Sequence, residues 1–290
     1  MRITHKWGKP KVITTLHSVS TSAVFFDLDK TIIARSSLLA FTKPFSTAGL
    51  ISKKRMLKNV VNQYFFATVG ANHAQMERLR ESITAMVTGW SVDQVKEIIN
   101  ESIHSAIGPM IYDEAATLIE KHISDGRDII IVSTSGKEIV EPIGKLLGAT
   151  TVIATEMIIE DGKYTGAVAF YAYGEKKAEA IKKLAAEKGY DLSLSFAYSD
   201  SVTDLPMLKS VGFPCAVNPD RALRAEAEKL DWPILSFSRS VPLRDRLSGV
   251  PRKPALATAL SLGAFVTLLL VKKRKGSKSS KSEKSGGNLA

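Results

Sequence analysis

The chain has 290 residues, 44% of them hydrophobic, with 40 Lys and Arg against 29 Asp and Glu and a formal net charge of +11. That length and apolar content suffice for one large α/β domain, or for a core domain with a smaller insert, and they exclude a disordered or collagen-like chain. The single cysteine, Cys215, excludes an internal disulfide and fits a reducing compartment.

The positive charge is concentrated at the ends. An N-terminal extension, residues 1–21, carries Arg2, Lys6, Lys9 and Lys11 and no acid, while residues 272–290 carry seven Lys or Arg and one Glu. The residues between are close to neutral. Basic tails beside an apolar segment point to anionic lipid before nucleic acid, so a nucleic-acid partner is not expected, and the N-terminal charge reads as a solvated tail. The first 22 residues contain no apolar run of signal-peptide length.

In chain order, Ala23-Val24-Phe25-Phe26 is a short apolar run ending at Asp27 and reads as a buried strand. A long stretch of helical character follows over residues 36–123, with amphipathic segments at Met76–Val87 and Val92–Ile103. Ser91 followed by Gln94 resembles a capping box at the start of the second. Asp128–Val132 is the next strand, ending at Ser133, and Gly136–Leu147 reads as a helix. Thr151–Ala154 is a further strand, and Glu156–Ile159 and Tyr164–Phe170 flank the turn signal Asp161-Gly162. Glu175–Lys188 reads as a charged helix stopped by Gly189. Strands at Ser195–Tyr198 and Pro214–Val217 and a helix over Asp220–Lys229 complete an alternation that argues for a parallel α/β sheet. Residues 241–253 read as a linker. Pro254–Val271 is eighteen residues without a formal charge, framed by Arg252-Lys253 and by Lys272-Lys273-Arg274-Lys275. It sits at the short end of the range for a membrane-spanning helix, about 20 residues, and is expected to span the membrane or to lie in its interface. The Ser-, Lys- and Gly-rich tail beyond it is expected to be disordered.

Four polar clusters follow predicted strands, and in open α/β sheets ligands sit at the carboxyl ends of strands. The first is Asp27-Leu28-Asp29-Lys30-Thr31. Two acids at that spacing can divide nucleophilic attack and proton transfer between them, although alone they read as a cap or loop pair. The second is Ser133-Thr134-Ser135-Gly136, a hydroxyl at a strand end that can hold a phosphoryl oxygen or simply cap a helix. The third is Lys176-Lys177, which can offset the charge of a transferring phosphoryl group or lie on the surface. The fourth is the run Tyr198–Pro206 with Asp200 and Asp204, hard oxygen ligands suited to Mg²⁺ or an acidic turn.

Taken together and in this order, the clusters resemble the haloacid dehalogenase superfamily, in particular subclass IB, its phosphoserine-phosphatase-like branch. The resemblance covers roughly residues 22–240 and extends to the wording of Phe213–Arg224. It implies a Rossmann-like parallel sheet flanked by helices, formed by residues 22–35 and 124–240, with a helical cap at 36–123 inserted after the first strand; the apolar helix 254–271 follows. It also implies that Asp27 is the nucleophile and a Mg²⁺ ligand, and that Asp29 is the general acid/base and binds the metal through its carbonyl. Thr31 orders the first loop at the phosphate site, Ser133 binds a phosphoryl oxygen, Lys177 is the phosphate-binding lysine with Lys176 as the neighbouring alternative, and Asp200 and Asp204 serve the metal.

The expected activity is Mg²⁺-dependent hydrolysis of a phosphomonoester through an aspartyl-phosphate, with a membrane-associated or lipid phosphate as one substrate class. The alternatives are a phosphoserine phosphatase on a soluble substrate, transfer to an acceptor other than water, and a membrane-tethered phosphate-binding scaffold with little turnover. One departure bears on substrate. Phosphoserine phosphatases carry a Glu nine residues after the nucleophile to hold the substrate ammonium, and here that position is Ser36. Basic candidates near the start of the cap are Arg35, Lys43, Lys53, Lys54, Arg55 and Lys58. With no signal sequence, the catalytic domain is expected in the cytoplasm, at the bacterial inner membrane.

Overall fold

A computed structural model of the chain describes residues 22–52 and 73–240. The expected extension 1–21, linker 241–253, apolar helix 254–271 and tail 272–290 lie outside the described residues, as do Lys53, Lys54, Arg55 and Lys58. Among the described residues, no helix is long and apolar enough to cross a membrane.

Seven strands form one sheet. They are β1 (Ala23–Phe26), β2 (Asp128–Gly136), β3 (Thr151–Glu160), β4 (Lys163–Phe170), β5 (Phe196–Ser199), β6 (Phe213–Val217) and β7 (Ile234–Leu235), in the order β4-β3-β2-β1-β5-β6-β7. All neighbours are parallel except β3 and β4. The chain builds outward from β1 to β2 and β3, then returns to the other side of β1 for β5. The strand order therefore reverses beside β1, where an α/β sheet opens its ligand crevice.

The period of two along the strands sorts side chains onto two faces. Val24, Phe26, Ile129 and Ile131 join one apolar cluster, and Ala23, Phe25, Ile130 and Val132 join the other. The first face is covered by α5 (Asp113–Ser124) and α6 (Lys137–Leu146), through Leu118, Ile119, Ile139 and Val140, and α4 (Val92–Ala106) packs against α6 and adds Val95 and Ile99 to the same apolar cluster. The second is covered by α7 (Glu175–Lys188), α8 (Leu205–Lys209) and α9 (Arg221–Lys229), through Ile181, Ala185, Met207, Leu208, Leu223 and Ala227. Burial on both faces explains why β1 and β2 read as continuous apolar runs.

The stretch expected to be helical contains, among its described residues, α1 (Ser37–Ala40), α2 (Thr42–Thr47), α3 (His73–Val87), α4 and α5. Ser91 caps α4 by accepting from the Gln94 amide at 3.4 Å. The last helix, α5, packs under the sheet, and its His122 bonds to Tyr198 of β5. Residues 151–160, read as two strands from sequence, are one. The start of β3 pairs in parallel with β2, and its end leaves the core to pair antiparallel with β4.

Asp161 and Gly162 at the hairpin tip both take positive φ, 49° and 72°, the geometry that suits the twist of a two-residue hairpin. The hairpin grips the corner between α3 and α4. Gly89 N donates to Tyr164 O at 2.8 Å, Tyr164 N to Trp90 O at 3.1 Å and Val92 N to Gly162 O at 3.0 Å. Gly166 makes the approach possible, since a Cβ there would meet Thr88 Oγ1.

Candidate active site

The first functional cluster leaves β1 on a tight loop. Lys30 takes φ 64°, in the left-handed region that a long side chain seldom adopts. The reversal lets Ile32 N and Ile33 N both donate to Leu28 O, at 3.0 and 3.1 Å. Asp27 N donates to Tyr198 O at 2.9 Å, so the tips of β1 and β5 are fixed together.

Asp27 meets Lys177 at the centre. Lys177 Nζ donates to Asp27 Oδ1 at 2.7 Å and to Asp204 Oδ2 at 2.8 Å. Ser199 Oγ also donates to Asp204 Oδ2, at 2.7 Å. Lys177 is only 2% exposed. Burial alone would lower its pKa, but the carboxylates of Asp204 and Asp27 outweigh it, so the net shift is upward and the ammonium is kept. Lys176, the alternative from sequence, faces solvent and pairs with Glu179 at 2.7 Å. One residue along the first turn of α7 separates a buried counter-ion from a surface lysine.

Burial raises Asp27 to about 7; Lys177 opposes the shift, and Asp204 and Asp29 add to it. Asp200 is raised well above the ordinary carboxylate range, by burial first and then by Asp27, with Lys30 opposing. Four carboxylates thus share one buried lysine. Among the described residues, no group of three or more His, Cys, Asp or Glu side chains forms a metal cage by itself. Mg²⁺ does not need one, because it keeps several waters and takes one or two protein carboxylates along with substrate phosphate. The mutual destabilisation of Asp27 and Asp200 is what a cation between them would relieve, so the donor set fits the ion.

Asp29 is held from two sides. Its Oδ1 accepts from Ser37 N at 2.8 Å, and its Oδ2 accepts from Ser135 Oγ at 3.3 Å. Burial raises its pKa against these hydrogen bonds. Ser133 is 1% exposed and its Oγ accepts from Ser135 N at 3.1 Å, leaving the hydroxyl proton available to another acceptor. Thr31 is fully buried beneath the loop, and its hydroxyl has no hydrogen-bond partner. The structure therefore brings Asp27, Asp29, Ser133, Lys177, Asp200 and Asp204 to one edge of the sheet, with Thr31 below.

Sequence reasoning missed four supporting residues. Ser37 and Ser135 hold Asp29, and Ser199 holds Asp204. Asp220 fixes the loop of the fourth cluster: its Oδ2 accepts from Val202 N at 2.9 Å, its amide donates to Asp200 O at 2.7 Å, and its Oδ1 caps α9 at Leu223 N. The available signals were slight, namely Ser199 beside Asp200 and an Asp at a helix start.

A family model described as haloacid dehalogenase-like hydrolase matches residues 24–209. The chain is 57% identical over 251 residues to an "Inhibition of morphological differentiation protein" of Streptomyces azureus, covering 86% of this chain and 91% of that one. It is 55% identical over 242 residues to a "Probable phosphatase" of Mycobacterium tuberculosis, covering 83% and 84%. A solved phosphoserine phosphatase in complex with its substrate shares the fold at a TM-score of 0.56 and 19% identity, over 79% of this chain and 98% of that one. With the family model spanning most of the chain and the motif residues gathered at one sheet edge, the chain belongs to the haloacid dehalogenase-like hydrolases and is an enzyme of that class.

Proposed function

We propose that the chain is a Mg²⁺-dependent phosphomonoesterase that works through an aspartyl-phosphate on Asp27. The observation that carries this reading is the Asp27–Lys177–Asp204 arrangement, a buried carboxylate at a strand tip with one oxygen anchored by a charged lysine. Asp27 attacks phosphorus while the bond to the leaving oxygen breaks, and the leaving oxygen takes a proton from Asp29. Water then attacks the phosphorus of the aspartyl-phosphate and gives its proton to the Asp29 carboxylate. The bond to Asp27 breaks, and free phosphate and the starting carboxylate are recovered. Lys177 offsets the charge of the phosphoryl oxygens, and the Ser133 hydroxyl donates to one of them. Held by Asp27, the Asp29 carbonyl and Asp200, with Asp204 in support, Mg²⁺ would supply further neutralisation of that charge.

Ser36 bears on the substrate. It is half-buried, its side chain makes no capping bond, and it precedes Ser37, which holds Asp29. A neutral hydroxyl there gives a substrate ammonium no counter-charge, which favours an ester without a serine-like amine. The basic-flanked apolar sequence 254–271 favours a phosphate carried on a membrane or lipid, with the catalytic domain on the cytoplasmic side.

The test is phosphate release from phosphorylated lipids, sugars and amino acids with Mg²⁺, with and without EDTA. Asp27→Asn is expected to lower turnover by about 10⁴-fold or more. Full turnover in that variant, or turnover indifferent to EDTA, overturns the mechanism.

A further inference from the structure

We infer that Ser37 and Ser135 act together as positioning residues that aim Asp29 at the leaving-group oxygen. The inference rests on the reading of Asp29 as the acid. The two serines are 98 residues apart in sequence, yet their hydroxyls lie 2.8 Å from each other. Ser37 opens α1 and is fully buried. Ser135 lies in β2, where the pairing with β3 shifts register between Ser133 and Gly136. A bulge re-aims a side chain out of the strand's alternation, and here the Ser135 hydroxyl reaches the β1 loop.

Ser135 Oγ donates to Asp29 Oδ2, the Ser37 hydroxyl also bonds to the Asp29 carboxylate, and the two hydroxyls share a hydrogen bond in which either can donate. Ser37 contributes its amide to Asp29 Oδ1 as well. Each carboxyl oxygen thus has a donor, one from the segment leading into the helical layer and one from the core. Two donors on opposite oxygens fix the rotation of the carboxyl plane. A terminal carboxyl torsion is otherwise broad, and proton transfer requires heavy atoms within hydrogen-bond reach. Ser135 N also donates to Ser133 Oγ at 3.1 Å, so the acid is registered against the hydroxyl that receives the phosphoryl group.

Leaving-group dependence separates this role from a structural one. An alkyl alcohol needs a proton as it departs, whereas p-nitrophenolate does not. Phosphoryl transfer to Asp27 is the step that kcat/KM reads. The full-length chain with Mg²⁺ is assayed on p-nitrophenyl phosphate and on β-glycerophosphate. Ser135→Ala is expected to lower kcat/KM for the alkyl ester by about 10- to 100-fold and for the aryl ester by about threefold or less. Ser37→Ala, which keeps the amide donor, is expected to show the same bias, and Ser135→Thr to recover most of the alkyl activity. Equal losses on both esters, or no loss on either, overturn the inference. Asp29→Asn distinguishes the two levels: if it retains full alkyl-ester activity, the reading of Asp29 as the acid has failed, whatever the serines do.

Discussion

Two buried polar clusters lie on the same strands and follow opposite rules. One, at the carboxyl tips of β1 and β5, holds Asp27, Asp29, Asp200 and Asp204 around Lys177, with acids in excess and the pKa values of Asp27, Asp29 and Asp200 pushed up. The other lies toward α5. There His122 Nε2 meets Tyr198 Oη at 3.0 Å, and Arg127 Nη1 meets His122 Nδ1 at 3.0 Å. Arg127 also pairs with Asp125 at 2.7 Å and lies over the Phe196 ring at 4.9 Å. Because Arg127 can only donate, His122 Nδ1 must accept. The ring is therefore neutral, with its proton on Nε2 toward Tyr198. In this cluster each of these polar groups has a partner, and Asp125 pairs with Lys121 as well as with Arg127. The comparison is instructive: the cluster at His122 has its hydrogen bonds matched as it stands, whereas the one at Lys177 gathers more carboxylates than its lysine can pair, the kind of imbalance that clusters at functional sites.

Removing the counter-ion should give the largest effect. Lys177→Met is expected to lower kcat/KM by about 10²- to 10³-fold. It should also destabilise the fold by about 3 kcal/mol at pH 8, since two buried carboxylates lose their partner. That stability cost should shrink at pH 5, below the raised pKa of about 7, where Asp27 can take up a proton. Urea unfolding at the two pH values measures it, and a variant as stable as the parent at pH 8 would break the contrast.

The second effect is a pH slope. Burial, aided by Arg127, lowers His122 from 6.5 to about 3. The folded state therefore binds fewer protons than the unfolded state between those values. The stabilisation is complete above about pH 6.5 and is lost as pH falls toward 3, at about 1.4 kcal/mol per pH unit. Urea unfolding from pH 7 to pH 4 should show a steeper decline for the parent than for His122→Gln. Parallel declines would mean that the histidine is protonated in the fold.

The smallest effect is Tyr198→Phe. It removes one partner of His122 and should cost about 1 to 2 kcal/mol. Turnover should be unchanged, because the link to Asp27 uses the Tyr198 backbone carbonyl. A loss of activity without a loss of stability would show that the two clusters are coupled.

The motif residues were legible because their order along the chain resembles the haloacid dehalogenase pattern, and Asp27, Ser133 and Asp200 follow runs that read as strands, whose tips converge in a parallel sheet. Their spacing along the chain carries that information, and so does the helix over Glu175–Lys188. Ser37 and Ser135 were not legible. A serine's partner depends on a crossover and a bulge, neither of which leaves a periodic trace. Strand β7, with two residues, and helix α8, with five, are too short to repeat a period. The break read at Thr155-Glu156 is a change of environment within one strand. Thr155 Oγ1 donates to Thr134 O at 2.7 Å, and beyond it the strand leaves the core.

Mechanically, the tip of the β3–β4 hairpin is a fulcrum. Three backbone bonds hold it to the α3–α4 corner, and Gly166 admits Thr88 where a Cβ would clash. Farther along α3, Arg80 lies over the Tyr171 ring at 5.5 Å, in the segment that runs from β4 into α7 and on to Lys177. A displacement of the α3–α4 corner that preserves these bonds must carry the hairpin tip with it.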